Sequence, residues 1–168
     1  MPLNVLWLQS GGCGGCSMSL LCADTQDFAA MLRGAGLNLL WHPALSLEDA
    51  RGLPGVLDDC LQGRTRLDVL CVEGAMLRGP HGSGRFHQLA GTGRAMIDWV
   101  RDLAPLAQQV LAIGSCAAWG GVTAGGTNPT DACGLQFEDD RPGGLLGSTF
   151  RSRAALPVVN VAGCPTHP

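Results

Sequence analysis

Residues 4–21 read NVLWLQSGGCGGCSMSLL: a short apolar run, a turn made of glycine and cysteine, then a helical stretch opening at Ser17 and running through Leu20 and Leu21. A buried strand that breaks into such a turn and then a helix is the start of a βαβ unit, and the rest of the chain repeats the pattern. Leu37–Trp41 reads as a second strand, closed by His42 and Pro43. Residues 67–72 form a continuous apolar run, the mark of a strand covered on both faces. Gln109–Ile113 is another buried strand, and residues 157–161 are the last. Between the strands fall helices. A second helical stretch, after the one opening at Ser17, has Asp24 as N-cap, Phe28, Met31 and Leu32 on one face, and Gly34 as its stop. A weaker helix covers residues 46–60, interrupted by Gly52 and Pro54. Phe86, Leu89, Ala90, Gly93, Met96, Ile97 and Val100 recur at helical spacing and give the clearest helix in the chain. Residues 120–147 are glycine-rich and aperiodic and read as a long irregular excursion. Strands alternating with helices predict a parallel sheet with right-handed crossovers. Five of them predict an α/β, flavodoxin-like doubly wound domain spanning residues 1–168, with no internal repeat or linker.

The composition agrees. At 168 residues and 46% hydrophobic content the chain is one domain with enough apolar side chain for a core. No apolar run approaches the roughly 18 residues that cross a bilayer, so direct membrane insertion is not expected. The opening MPLNVLWLQ reads as a strand rather than a leader, having no basic n-region, cleavage site or twin-arginine pair; the expectation is a cytoplasmic protein. A net charge of −3 argues against nucleic acid as a partner. Charged residues make up only 15% of the chain, against about 25% in ordinary soluble domains, so part of the surface is expected to face something other than water. All eleven basic residues are arginine. That fits a permanent partner surface, which enriches arginine over lysine, and equally fits codon bias.

Eight cysteines in a chain without a leader point to metal or redox chemistry rather than a disulfide framework. In open parallel sheets, ligands bind beyond the carboxyl ends of the strands, where the strand order reverses. Cys13 and Cys16 follow the first strand, Cys116 the fourth and Cys164 the fifth, with Glu73 in the corresponding place after the third. Topology alone thus gathers thiols separated by about a hundred positions. Four thiolates at one point bind zinc or an iron–sulfur cluster. Structural zinc sites usually pair two CxxC knuckles, whereas here one CxxC is joined by two single cysteines in separate loops, a spread that suits a larger cluster. Zinc stays open as the alternative, that of a structural protein. A phosphate cradle is disfavoured, because SGGCGGCS matches neither the dinucleotide fingerprint nor the Walker pattern and the chain has no lysine; a flavin fits poorly where cysteines replace hydroxyls.

Several segments taken in order resemble the small subunits of nickel–iron hydrogenases: WLQSGGCGGCSMSLL, LNLLWHPALS, VEGAM, AIGSCAAWGGV with the following NPT, and VNVAGCPTHP. They cover practically the whole chain. The resemblance implies an electron-transfer subunit of an oxidoreductase acting on hydrogen. It implies one proximal 4Fe-4S cluster on Cys13, Cys16, Cys116 and Cys164, and an obligate heterodimer whose separate large subunit holds the nickel–iron centre. No catalytic residue is expected in this chain itself. Oxygen-tolerant members carry two extra cysteines at positions matching Gly15 and Gly121, so an ordinary cubane is expected. Many members have threonine where this chain has Gly14. Most members continue into a second domain with medial and distal clusters; this sequence stops at Pro168, four residues after Cys164, so that domain is expected to be absent. A truncated subunit and a natural one-cluster subunit, as in energy-converting hydrogenases, both account for the stop. The wording GCPTHP is most similar to the cytoplasmic hydrogen-sensing group, which implies a sensor histidine kinase as a further partner. The related quinone-oxidoreductase subunit of respiratory complex I has a tandem cysteine pair, which CGGC is not.

For the remaining residues the expectations are plain. Cys22, Cys60, Cys71 and Cys133 are structural, with Cys22 on a helix and Cys71 in a strand as small hydrophobes. Glu73 either caps backbone N–H groups near the cluster or tunes it and relays protons. His42 is a hydrogen-bonding turn residue, His81 and His87 face solvent, and His167 lies near the site or at a ragged end. Trp119 and Trp7 are near the site, suited to packing on the cluster or to partner contact.

Overall fold

The computed structural model describes residues 1–23, 28–46 and 52–168. Five parallel strands form its sheet: β1 (Leu3–Gln9), β2 (Leu37–Trp41), β3 (Val69–Glu73), β4 (Gln109–Ile113) and β5 (Val159–Val161). Their order is β2-β1-β3-β4-β5, the doubly wound order with its reversal between β1 and β3. The α/β flavodoxin-like expectation holds, and all five strands were expected to within two residues at each end. The helices are α1 (Gly15–Leu21), α2 (Phe28–Gly34), α3 (Gly52–Leu61), α4 (Met96–Leu103) and α5 (Gly114–Trp119).

The continuous apolar runs are explained by burial on both faces. Leu6, Leu8, Leu70, Val72, Val110 and Ala112 point to one side, where they pack with Leu53 and Leu57 of α3 and Met96, Val100 and Leu103 of α4. Val5, Trp7, Cys71 and Ile113 point to the other, against Cys16 and Leu20 of α1. Side chains alternate along a strand, so a strand sandwiched between helix layers needs apolar residues at every position.

The proposed N-cap Asp24, and residues 47–51 of the helix expected over 46–60, lie outside the described residues. Within the described part of that helix Pro54 is the third residue of α3 and the helix continues past it to Leu61. The long helix expected from Phe86 is a correction: only Met96–Leu103 is helical. Gly91 and Gly93 take left-handed backbone (φ 78° and 64°), Leu89 N–H donates to Arg94 O, and Thr92 Oγ1 donates to Leu89 O. These bonds close a turn where the helix would run, and Phe86 is left 53% exposed. Helical spacing there is a coincidence of apolar residues that the two glycines break.

Residues 120–147 are irregular as expected, apart from a turn of 3₁₀ helix at Gly121–Ala124 and short antiparallel pairs, Met76–Leu77 with Ala132–Cys133 and Phe137–Glu138 with Arg141–Pro142. The buried Gln136 anchors the excursion: its Nε2 donates to Ser148 O and Phe150 O at 3.1 Å, and its Oε1 accepts from Val158 N–H at 2.8 Å. Among the described residues no helix is long and apolar enough to cross a membrane.

Leu70 lies in β3, the middle strand of the sheet, with no exposed surface. Leu70→Ala is expected to destabilise the fold by about 2–5 kcal/mol, measured by chemical denaturation.

Candidate functional site

Gln9, Glu73, Ile113 and Val161 lie in register across β1, β3, β4 and β5, so the four strands reach one edge together. The chain leaves each strand into a loop bordering a single cavity of about 190 Å³. Its walls are Cys13, Cys16, Cys116 and Cys164, the carboxylate Glu73, and backbone of the glycine-rich turns. The topology therefore brings together all four cysteines singled out from the sequence.

Each is placed by a different device. Cys13 is exposed in the turn after β1, and its Sγ accepts the Gly15 N–H at 3.3 Å. Cys16 occupies the first turn of α1, and a Cβ on Gly114 would come within 2.5 Å of its Sγ, so the thiol sits where only backbone leaves room. Cys116 lies in the first turn of α5 and Cys164 in the exposed turn after β5. The loops are latched to one another. Ser115 N–H and Oγ–H both reach Gly163 O (2.8 and 3.1 Å), Ser19 Oγ donates to Thr166 O at 2.8 Å, and Thr123 Oγ1 donates to Gly11 O at 3.3 Å. Among the described residues no three His, Cys, Asp or Glu side chains are gathered tightly enough to hold one metal ion. The thiols instead stand around a cavity, with bare backbone between them.

Glu73 ends β3 with only 3% of its surface exposed. Its Oε1 accepts the N–H groups of Cys16 (3.1 Å) and Ser17 (3.2 Å), and its Oε2 accepts Trp7 Nε1–H (3.2 Å) and the Ser17 hydroxyl. Helix α1 has Gly14 as N-cap, with left-handed backbone (φ 73°) and no side chain to cap the first turn. Glu73, 57 residues away from Cys16, does so from the neighbouring strand. The geometry fits the capping reading of Glu73. Trp7, buried under α1, holds the other side of the same carboxylate. Trp119 is half-buried at the end of α5 and packs on the main core.

The other cysteines divide. Cys60, Cys71 and Cys133 are buried, and burial pushes their thiols up, to about 11, about 12 and about 11. Cys22 departs from expectation: it is exposed at the C-terminal end of α1 rather than packed. His81 and His167 are exposed. His87 is half-buried, with Nδ1 3.3 Å from Ser10 Oγ, and desolvation lowers its pKa; the expectation of a solvent-facing ring is corrected. His42 is the hydrogen-bonding turn residue expected, with its N–H to Ser46 Oγ and its Nδ1 accepting from Ala44 N–H, but it does more. It is 1% exposed, 5.0 Å from Trp7 between ring centroids, and hydrogen-bonded to Ser17. No sequence signal marked these further contacts, because the partners lie on other elements.

Residues 13–168 match the family described as NADH ubiquinone oxidoreductase, 20 Kd subunit. An F420 non-reducing hydrogenase II small subunit of Methanosarcina mazei is 31% identical over 98% of this chain and 45% of its own length. The chain belongs to this family, among its nickel–iron hydrogenase small subunits. It is similar in structure to the Actinobacterial-type NiFe-hydrogenase from Ralstonia eutropha H16 (TM-score 0.81, 30% identity, 98% of this chain and 49% of that one). The [NiFeSe] hydrogenase of Desulfovibrio vulgaris Hildenborough gives a TM-score of 0.80 at 27% identity, over 100% of this chain and 56% of that one. The chain thus spans about half the length of the hydrogenase subunits it matches. The family takes its description from the quinone-oxidoreductase subunit, while the relatives of this chain are hydrogenases. Gly15 and Gly121, the positions at which the resemblance led us to expect no further cysteine, stand close to two of the thiols. A Cβ on Gly15 would lie 3.0 Å from Cys13 Sγ, and one on Gly121 2.9 Å from Cys116 Sγ. Both positions border the site.

Removing the Glu73 acceptor by Glu73→Leu strands its four donors, three of them buried, and is expected to cost at least about 1–3 kcal/mol in denaturation experiments. In the metal-free chain at pH 8, iodoacetamide is expected to modify the exposed Cys13, Cys22 and Cys164 and to spare Cys60, Cys71 and Cys133 until the fold opens, as read by mass spectrometry of timed digests.

Proposed function

We propose that this chain carries electrons for a nickel–iron hydrogenase (H2 = 2 H+ + 2 e−), holding one proximal 4Fe-4S cluster through Cys13, Cys16, Cys116 and Cys164. The observation that carries the reading is the meeting of those four cysteines, from three sequence-distant segments, at one cavity on one sheet edge. The donor set fits such a group and not a single ion: the thiols are spaced around a cavity, and glycine backbone leaves room for inorganic sulfide. Bound there, the cluster would take or give one electron at a time. The residues of the chain hold its ligands, latch the loops together and exclude bulk from the inner wall. With Gly15 and Gly121 in place of further thiols, an ordinary cubane is the form supported.

The hydrogen-splitting centre belongs, in this reading, to a separate large subunit. Apolar side chains flank the site on the surface: Met18 and Leu21 of α1 are 57% and 38% exposed, and Val122, beside the loop of Cys116, is 82% exposed. Exposed apolar residues around a redox site suit a permanent partner that brings its own centre close. The likeness of residues 163–168 to the hydrogen-sensing group supports a signalling role, with a histidine kinase as the partner of the assembled dimer. Kinase binding would favour that role, and sustained hydrogen uptake with a respiratory acceptor would count against it.

The test is elemental analysis of the anaerobically purified complex of this chain with its large subunit. About five irons per nickel are expected, four in the cluster and one beside the nickel. Cys116→Ser is expected to abolish or convert the cluster signal in electron paramagnetic resonance. About one zinc per chain without iron or nickel, or an unchanged cluster signal in Cys116→Ser, would sink the assignment.

A further inference from the structure

The carboxylate that caps the cluster loop is itself held from behind. His42 lies at the end of β2, buried between Trp7 (5.0 Å between centroids) and Phe28 (6.4 Å). Its Nδ1 lies 3.0 Å from the Ala44 N–H and has to accept from it, because a backbone amide can only donate. The one remaining ring proton of a neutral imidazole is then on Nε2, which is 3.2 Å from Ser17 Oγ. Burial lowers the His42 pKa, although Glu73 opposes the shift, and a neutral ring is what the two contacts require. With Nε2–H donating to it, the Ser17 hydroxyl turns its own proton to Glu73 Oε2. The bonds therefore run in one direction, from His42 to Ser17 to Glu73, and Glu73 is an acceptor at every contact. The chain is closed at its far end by the Ala44 amide, so it conducts no proton to solvent. It orients.

We propose that His42 is a positioning residue for the cluster: by fixing the direction of the Ser17 hydroxyl it holds Glu73 as an all-acceptor carboxylate under the N–H groups of Cys16 and Ser17, and thereby sets the potential of the electron-transfer site. The inference rests on the cluster reading above. The physical link is electrostatic. Hydrogen bonds in a chain polarise one another, so the donor at His42 strengthens the bond that spreads the Glu73 charge. Weakening that bond concentrates negative charge beside a thiolate-ligated cluster and makes its reduction harder.

The experiment is a dithionite titration of the anaerobic heterodimer, following the reduced cluster by electron paramagnetic resonance, with iron content measured in each variant. His42→Phe, which removes the donor, and Ser17→Ala, which removes the link, are both expected to load iron as the unaltered protein does and to shift the midpoint potential downward. His42→Gln, whose Nε2 can still reach Ser17, is expected to restore the original value, while His42→Asn is not. The double variant is expected to match Ser17→Ala alone, because His42 acts through Ser17. An unchanged potential in His42→Phe overturns the proposal, as does a full His42 effect on the Ser17→Ala background. Should His42→Phe not load iron, the contrast between His42→Gln and His42→Asn decides: equal potentials overturn the proposal and unequal ones support it. Absence of iron from the unaltered complex is a different result, and it overturns the cluster reading itself.

Discussion

A buried carboxylate with no cation beside it among the described residues has to be met by hydrogen-bond donors, and that requirement on Glu73 organises the functional edge of this molecule. Its four donors come from β1, from the first turn of α1 and from the Ser17 side chain. Desolvating a carboxylate is costly unless such donors are in place. The segment after β1 is thereby drawn down onto β3 in one geometry. That segment carries Cys13 and Cys16, so the requirement for satisfaction becomes the placement of two thiols. Without Glu73, α1 would begin at a glycine with nothing to cap its first turn.

The same economy runs through the other loops. A parallel sheet with strand ends in register offers several chain exits at one edge but does not join them. Here the joining is done by short polar side chains acting on backbone carbonyls: Ser115 on Gly163, Ser19 on Thr166, Thr123 on Gly11. Each bond links two loops that carry different cysteines or flank them. Such bonds contribute about 0.5–1.5 kcal/mol apiece. Their sum matters less than their geometry, since four ligands on independent loops would each have to be ordered separately on taking up a large group.

What could be read in advance follows from the range of the interactions. Buried strands announce themselves as continuous apolar runs, so β2 and β4 match the sequence reading at both ends, and the convergence of the cysteines follows from strand order alone. The helix expected from residue 86 fails because its apolar spacing is genuine while two glycines with left-handed backbone redirect the chain. Glu73 was visible as a charge ending an apolar run and as a candidate cap, but which groups it caps was not, because its donors are 56 to 66 residues away in sequence. His42 was legible only as a hydrogen-bonding turn residue, which it is, and not as a buried partner of Ser17. A histidine before a proline reads as turn chemistry, and only the packing of β2 against β1 places it beneath Ser17.

The cysteines make the same point about environment and chemistry. All eight are one residue type, and spacing alone separates CGGC from the rest. Structure separates them by what surrounds the sulfur. Cys60, Cys71 and Cys133 are enclosed by apolar side chains that disfavour the thiolate, so they are held as thiols and contribute volume to the core. Cys13, Cys16, Cys116 and Cys164 face a cavity walled by glycine backbone, where the Gly15 N–H reaches Cys13 Sγ and missing side chains leave room for further sulfur. A chain rich in glycine thus concentrates that glycine where thiolates must be both stabilised and kept apart. The apolar sheet behind them supplies the rigidity that so much glycine would otherwise remove.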